Sequence, residues 1–252
     1  MNHFLLEKLT IVIYTYNRHK FLKRTINYWL KFNVKILILD GSDCKFDELN
    51  LENKNIKYVH DQRGFYKRLI DSSNYINTEF MMLGCDDEFY LPSALNSCIK
   101  FLTKNPEYST CGGCAIGFGV DHKKRITGSQ IYSKLINASL NQDSVYERIQ
   151  NHFSNYVQAH TYSILRTSKY KVICRYVFEK EYNFFAASEF QMEFLSVVAG
   201  KTKIIPELLW MRNTHEVPPI RGTSPTFDDT IKLGRWWNDA RFKEEKFFLL
   251  HR

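Results

Sequence analysis

The stretch that most restricts the fold of this chain is Glu79 to Tyr90, EFMMLGCDDEFY. It opens on a short apolar run, Phe80-Met81-Met82-Leu83, with the length and composition of a buried strand. Without a gap it meets three consecutive acids, Asp86, Asp87 and Glu88, and Leu91-Pro92 then opens a helix. Open α/β sheets bind ligands outside the carboxyl ends of their strands. Hard cations such as Mg²⁺ take oxygen ligands there and bridge to phosphates. Most runs of three acids are solvated loops. Here a buried strand delivers them, and adjacent carboxylates repel unless positive charge sits among them. The run reads as a strand end suited to a cation and a phosphorylated ligand.

The preceding residues supply a sheet for that strand. Leu9 to Tyr14, LTIVIY, is a β-branched run that predicts a buried first strand, with Thr15-Tyr16-Asn17-Arg18 as its exit loop. Phe21, Leu22, Ile26, Trp29 and Leu30 recur at helical spacing between Lys20 and Phe32. Lys35 to Leu39 predicts a second strand ending in the turn cluster Asp40-Gly41-Ser42-Asp43, and Ile56 to His60 a short third. Tyr66 to Tyr75, carrying Lys67 and Arg68, reads as a helix, as does Pro92 to Thr103 with its proline in the first turn. Strands alternating with helices imply βαβ units and a mostly parallel sheet with helices on both faces. Three strand ends, at Thr15, Asp40 and Asp86, then bring polar clusters to one edge.

With 252 residues the chain can bury a large core. No window approaches the roughly 18 apolar residues of a membrane span. The N-terminus MNHFLLEKLTIV lacks the basic region of a signal peptide. Six scattered cysteines, several inside predicted elements, suggest reduced thiols in a cytoplasmic protein. Cys111-Gly-Gly-Cys114 has metal-type spacing but no second pair, so it reads as a glycine-softened strand. The net charge of +8 suits a polyanionic partner. Basic residues are dispersed and no nucleic-acid motif is present, which argues against nucleic acid.

The runs LTIVIYTYNRHKFLKRTINYW, ILILDGSD, the lysine-bearing helix at Lys67, TEFMMLGCDDEFYLPSAL and FLTKNPEYS occur in one order over about residues 8 to 120. They resemble the nucleotide-sugar-dependent glycosyltransferases of the GT-A fold, in particular the family-2-like group. The resemblance implies a Rossmann-like nucleotide-binding half (about 8–120) and an acceptor half (about 121–252) within a single domain. It implies that Thr15 and Tyr16 contact base and ribose, that Arg18 meets phosphate, and that Asp40 accepts from the pyrimidine ring. It places Lys67 near the diphosphate. Asp86-Asp87-Glu88 stands at the family's DxD-type motif, with Asp86 toward ribose or metal, Asp87 in the donor site and Glu88 as metal ligand. The expected cofactor is Mn²⁺ or Mg²⁺.

The second half matches weakly. Gly112 to Phe118 predicts a strand, Gln130 to Gln158 a polar and partly helical segment, and Lys203 to Met211 another strand with Arg212 to His215 as its exit. Ser188 to Val198 predicts a helix capped by Ser188. Its Glu189 matches the acidic catalytic base of the family, with Glu193 one turn on as the competing base and Glu179 and Glu181 as weaker ones. The resemblance allows His215 as a further metal ligand and Arg212 or Arg221 at the diphosphate. Pro218 to Pro225 reads as a loop able to close over donor. The basic, aromatic C-terminal segment from Phe227 reads as a helix, packed on its own domain or laid on the inner membrane surface.

Together these readings describe a metal-dependent inverting transfer from a nucleotide sugar, with UDP as the expected nucleotide, to a glycan or lipid-linked glycan of a surface polysaccharide. Two rivals stand beside it. A nucleotidyltransferase needs the same acids and metal but ordinarily a glycine-rich loop after its first strand, and Thr15 to Lys20 holds no glycine. A non-catalytic nucleotide- or glycan-binding module would bind donor without turnover.

Overall fold

Val12 and Ile13 are neighbours on one strand and belong to two different cores, one on each face of a central sheet. The computed structural model describes residues 4–47, 53–120, 123–158, 160–180, 182, 184–214 and 233–250. Strand β1 (Leu9–Thr15) lies parallel to β2 (Lys35–Asp40) on one side and to β4 (Phe80–Cys85) on the other. β3 (Ile56–His60) extends the parallel set beyond β2. Because side chains alternate across a pleated strand, Ile11, Ile13, Ile36, Ile38 and Met82 face helices α1 (His19–Trp29) and α3 (Pro92–Lys104). Val12, Leu37, Leu39, Met81 and Leu83 face α2 (Phe65–Ser72) and α5 (Thr167–Phe178). A strand covered on both faces must be apolar at nearly every position.

The sheet continues into the second half of the chain. Its order is β3-β2-β1-β4-β8 (Ile164–Arg166)-β6 (Tyr108–Val120)-β9 (Lys201–Asn213)-β5 (Phe89–Tyr90), with β7 (Ile126–Gln130) on β6. β8 joins β4 to β6 by antiparallel pairing. β6 runs parallel to β9, and β5 closes the edge against β9. β7 is exposed throughout. Near Gly113 the β6–β9 register shifts, and a Cβ there would lie 2.7 Å from the Glu207 carbonyl. All six cysteines are free thiols, and Cys111 and Cys114 lie within β6.

Helices α4 (Val145–Ser154) and α6 (Phe185–Ala199) pack together in the second half of the chain. Ser188 does not cap α6 as its sequence suggests. Phe184 holds the cap position, and the buried Ser188 hydroxyl pairs with Tyr66 Oη at 3.0 Å. Tertiary burial has overridden a local capping preference. Arg212 and Asn213 belong to β9 rather than to its exit, because the strand stays paired with β6 through Phe118. The C-terminal segment is broken rather than one helix: α7 (Leu233–Asn238) and α8 (Lys243–Leu250) are separated where the Asp239 carboxylate accepts from Arg241 N. Trp236 and Phe242 are buried with Tyr182 and Ala187, while Trp237 and Phe247 are exposed. Among the described residues no helix is long and apolar enough to cross a membrane. His215, Arg221, Glu181 and the Pro218 to Pro225 loop lie outside the described residues.

Candidate functional site

The register of the parallel strands sets Thr15 opposite Asp40 and Tyr14 opposite Cys85, so β1, β2 and β4 end level with one another. Their exit loops are cross-linked. Thr15 Oγ1 donates to Asp86 Oδ2 at 2.6 Å, and Thr25 on α1 donates to the Asp86 carbonyl at 2.5 Å. Arg18 bridges two acids, Nη1 to Asp86 Oδ1 and Nη2 to Asp87 Oδ2, both at 2.8 Å. Asn17 adopts the left-handed region (φ 53°), which asparagine tolerates better than most residues. That turn lets its backbone N–H donate to Ser42 Oγ and its side chain pair with Asp43. Tyr16, half-buried, donates to Asp43 Oδ1 at 3.3 Å.

Asp40 is fully buried and its two oxygens are already occupied. Oδ1 accepts from the Ser42 N–H at 2.8 Å and from its hydroxyl, and Oδ2 accepts from Tyr58 Oη at 2.7 Å. His19 Nε2 lies 3.4 Å from Oδ2. The acid therefore shapes the Gly41-Ser42 turn. Lys67 is exposed on α2, and its neighbour Arg68 is the buried cation of that helix. Arg68 Nη1 donates to the carbonyls of Asp61 and Arg63, and its guanidinium packs so tightly under Gly41 that a Cβ there would collide with it. The helical period carries the reason: Phe65, Arg68, Leu69 and Ser72 share the inward face.

Glu88 is held by the second half of the chain. Its Oε2 accepts from Trp210 Nε1 at 2.7 Å and from Tyr90 Oη at 3.0 Å, and Arg212 Nε lies 3.8 Å from Oε1. Asn213 Nδ2 adds a donor to Asp87 Oδ2 at 3.3 Å. Burial pushes the Glu88 carboxyl up to about 7, with the Trp210 hydrogen bond pulling back. Burial likewise raises Asp86 to about 6 against the pull of Arg18. In both acids the cost of burial outweighs the pull of the nearby arginines.

Glu189 lies half-buried on α6, raised above the ordinary carboxylate range by burial, with Gln158 and the Arg212 charge acting against that shift. Arg212 thus acts on both Glu88 and Glu189. A small cavity is lined by Tyr14, Tyr162, Ser188 and Glu189, which brings α6 to the end of β1. Glu193 is 0% exposed and holds hydrogen bonds on both oxygens. Glu179 stands at the end of α5, exposed. Sequence reasoning passed over Arg68, Thr25, Trp210 and Asn213. The inward phase of α2 is the one signal that pointed to Arg68. The other three are ordinary residues until folding sets them beside the acids.

Residues 10–180 match the family model for glycosyl transferase family 2. Among solved structures, S. aureus TarS 1-349 aligns with a TM-score of 0.60 and 16% identity, over 81% of this chain and 60% of that one. Its complex with UDP-GlcNAc aligns at 0.61 and 14% identity, over 84% and 60%. The complex with UDP aligns at 0.55 and 13% identity, over 81% and 60%. The chain spans about three fifths of those TarS chains. A search of curated proteins found no match. The α/β architecture is the GT-A kind, and a family model spanning more than half the sequence settles the family: this chain belongs to glycosyl transferase family 2.

Proposed function

We propose that this protein transfers a sugar from a nucleotide donor, with inversion, to a hydroxyl of a glycan acceptor. The observation that carries the reading is the single buried polar rim formed by Thr15, Arg18, Asp40, Asp86, Asp87 and Glu88 at the level ends of three parallel strands. UDP-sugars are the favoured donors, since one fold neighbour is described in complex with UDP-GlcNAc. Tyr16 and the Asp40 turn flank the base and ribose, with Arg18 and Arg212 at the diphosphate. Lys67 stands exposed on α2 as the residue expected at the diphosphate, and its buried neighbour Arg68 shapes the crevice beneath Gly41.

The donor set fits a divalent cation. Asp87 Oδ1 and Glu88 Oε1 accept no hydrogen bond among the described residues, and one or two carboxylates plus donor phosphates suffice for Mg²⁺ or Mn²⁺. Such a cation supplies neutralisation of the charge that grows on the departing diphosphate. Glu189, made more basic than an ordinary carboxylate by burial, removes the acceptor hydroxyl proton. The acceptor oxygen forms its bond to the anomeric carbon as the bond to the diphosphate breaks, and the electron pair leaves with the diphosphate beside Arg18 and Arg212. Glu193, with both oxygens already bonded in the interior, is not the base in this scheme. Exposed Tyr156, Phe190 and Phe194 around Glu189 offer the aromatic faces on which sugar rings pack.

Release of nucleoside diphosphate from a panel of nucleotide sugars, with Mn²⁺ and candidate acceptors, tests the reading. Turnover lost in Asp86→Ala and Glu189→Gln is expected. Donor that binds without turnover in the wild type would instead identify a binding module.

A further inference from the structure

One turn beyond Glu189, α6 directs a second acid into the interior, where it meets two histidines. Glu193 Oε1 accepts from the backbone N–H groups of His160 (2.8 Å) and Thr161 (3.0 Å) and from the Thr161 hydroxyl (3.1 Å). That oxygen is saturated. Oε2 faces two imidazole nitrogens instead, His160 Nδ1 at 2.7 Å and His152 Nε2 at 3.1 Å. All three residues are at least nine-tenths buried.

We propose that Glu193 Oε2, His160 Nδ1 and His152 Nε2 form a binding site for one divalent cation of borderline softness, Zn²⁺ being the representative. The proposal does not depend on the transfer reaction.

Four features support it. The three donor atoms lie within 4.8 Å of one another, in a two-nitrogen, one-oxygen set that suits Zn²⁺ and is poor for Mg²⁺. His152 Nε2 is buried and makes no hydrogen bond, although it lies close to Oε2. A buried nitrogen that makes no hydrogen bond is costly, and a coordinate bond relieves that cost. The far nitrogen of His160 pairs with Thr202 Oγ1 at 2.7 Å, the outer hydrogen bond that orients a ligating imidazole and leaves Nδ1 facing the ion. Finally, His152 also lines an open groove of about 510 Å³ walled by Asn137, Ser139, Gln142, Asn151 and Asn155, so one residue of the set borders solvent.

An ion with bonds of about 2.0–2.1 Å in tetrahedral geometry separates its donors by roughly 3.3 Å. The present N–O spacings of 2.7 and 3.1 Å must therefore open slightly, and the two imidazole nitrogens, within 4.8 Å of each other, must settle to the same separation. Binding displaces any proton held between Nδ1 and Oε2, and that proton passes to solvent. The bound ion would pin α4, the His160–Tyr162 segment and α6 together, and Thr161 and Tyr162 wall the same cavity as Glu189.

Equilibrium dialysis of the full chain with Zn²⁺, read by elemental analysis, gives the test, with Co²⁺ as an optical probe of coordination. One ion per chain is expected, with a visible Co²⁺ spectrum of low coordination number. His152→Ala removes only the 3.1 Å contact to Oε2 from this cluster and should keep the fold by circular dichroism while weakening Zn²⁺ at least about ten-fold. The double variant Asp87→Asn, Glu88→Gln, which disarms the donor site, should still bind Zn²⁺ normally. Absence of bound Zn²⁺ at 100 μM, equal affinity in His152→Ala, or loss of the ion in the donor-site variant would each overturn the proposal and leave the cluster a hydrogen-bonded brace.

Discussion

The indole N–H of Trp210 donates to Glu88 Oε2 at 2.7 Å, joining residues 122 positions apart in the chain. The third acid of the strand end is therefore aimed by β9, from outside its own βαβ neighbourhood. Trp210 itself stacks on Tyr162 (centroids 4.4 Å apart) and Tyr132 (5.4 Å), so the indole is held within an aromatic stack.

Trp210→Phe keeps the aromatic stack and removes the donor. Leaving a buried carboxylate oxygen short of a partner should cost about 1–3 kcal/mol in urea unfolding. The same variant should bind Mn²⁺ more weakly, because Glu88 becomes harder to ionise. An unchanged midpoint and unchanged Mn²⁺ titration would remove Trp210 from the account.

The raised acids set a pH dependence. Folding lifts Glu88 from 4.5 to about 7 and Asp86 from 3.8 to about 6. Between those limits the folded protein holds protons that the unfolded chain has released. Their contribution is complete below the unfolded values and is lost as pH rises through about 6 to 7. A cation needs the ionised carboxylates, so its effect runs the other way. The rise in Tm on adding Mn²⁺ should be small at pH 5.5 and large at pH 8. A shift independent of pH would contradict it.

Arg18 neutralises Asp86 and Asp87 inside the rim. Removing one partner of a buried ion pair typically costs about 3–5 kcal/mol. Arg18→Ala should approach that loss, and combining it with Asp86→Asn should recover part of it, a coupling measurable by a double-mutant cycle. Additive losses would mean the pair is not energetically linked.

The two acids of α6 should separate cleanly. Glu189→Gln is expected to lower transfer about 10²–10⁴-fold with little change in Tm. Glu193→Gln should lower Tm, since it disturbs a carboxylate held well below its ordinary range by His160 and His152 against the cost of burial. The converse pattern would assign the base to Glu193.

On α2, Lys67→Ala should leave stability within about 0.5 kcal/mol and donor affinity unaltered, as for most exposed positions. Arg68→Ala should weaken donor binding and lower Tm, because it unties Gly41 from the Asp61 and Arg63 carbonyls. Isothermal titration with UDP compares the two directly.

The strands and their level ends were readable in the chain because burial on both faces demands unbroken apolar runs, and β1, β2 and β4 stand within a residue of where those runs predict them. β8 was not, being three residues long, too short for any periodicity to register. α5 escaped notice for another reason: exposed Val172 and Tyr176 blur its apolar stripe. Ser188 carried a true local preference for capping that burial against Tyr66 outweighed.

By itself the sequence determined that a parallel sheet would bring Thr15, Asp40 and Asp86 to a common edge, because period and hydrophobicity act locally and survive in one dimension. Only the tertiary structure decided which distant residues, Trp210, Arg212 and Asn213, take hold of the acids. Those choices depend on distances closed by packing across the whole chain, and no local pattern encodes them.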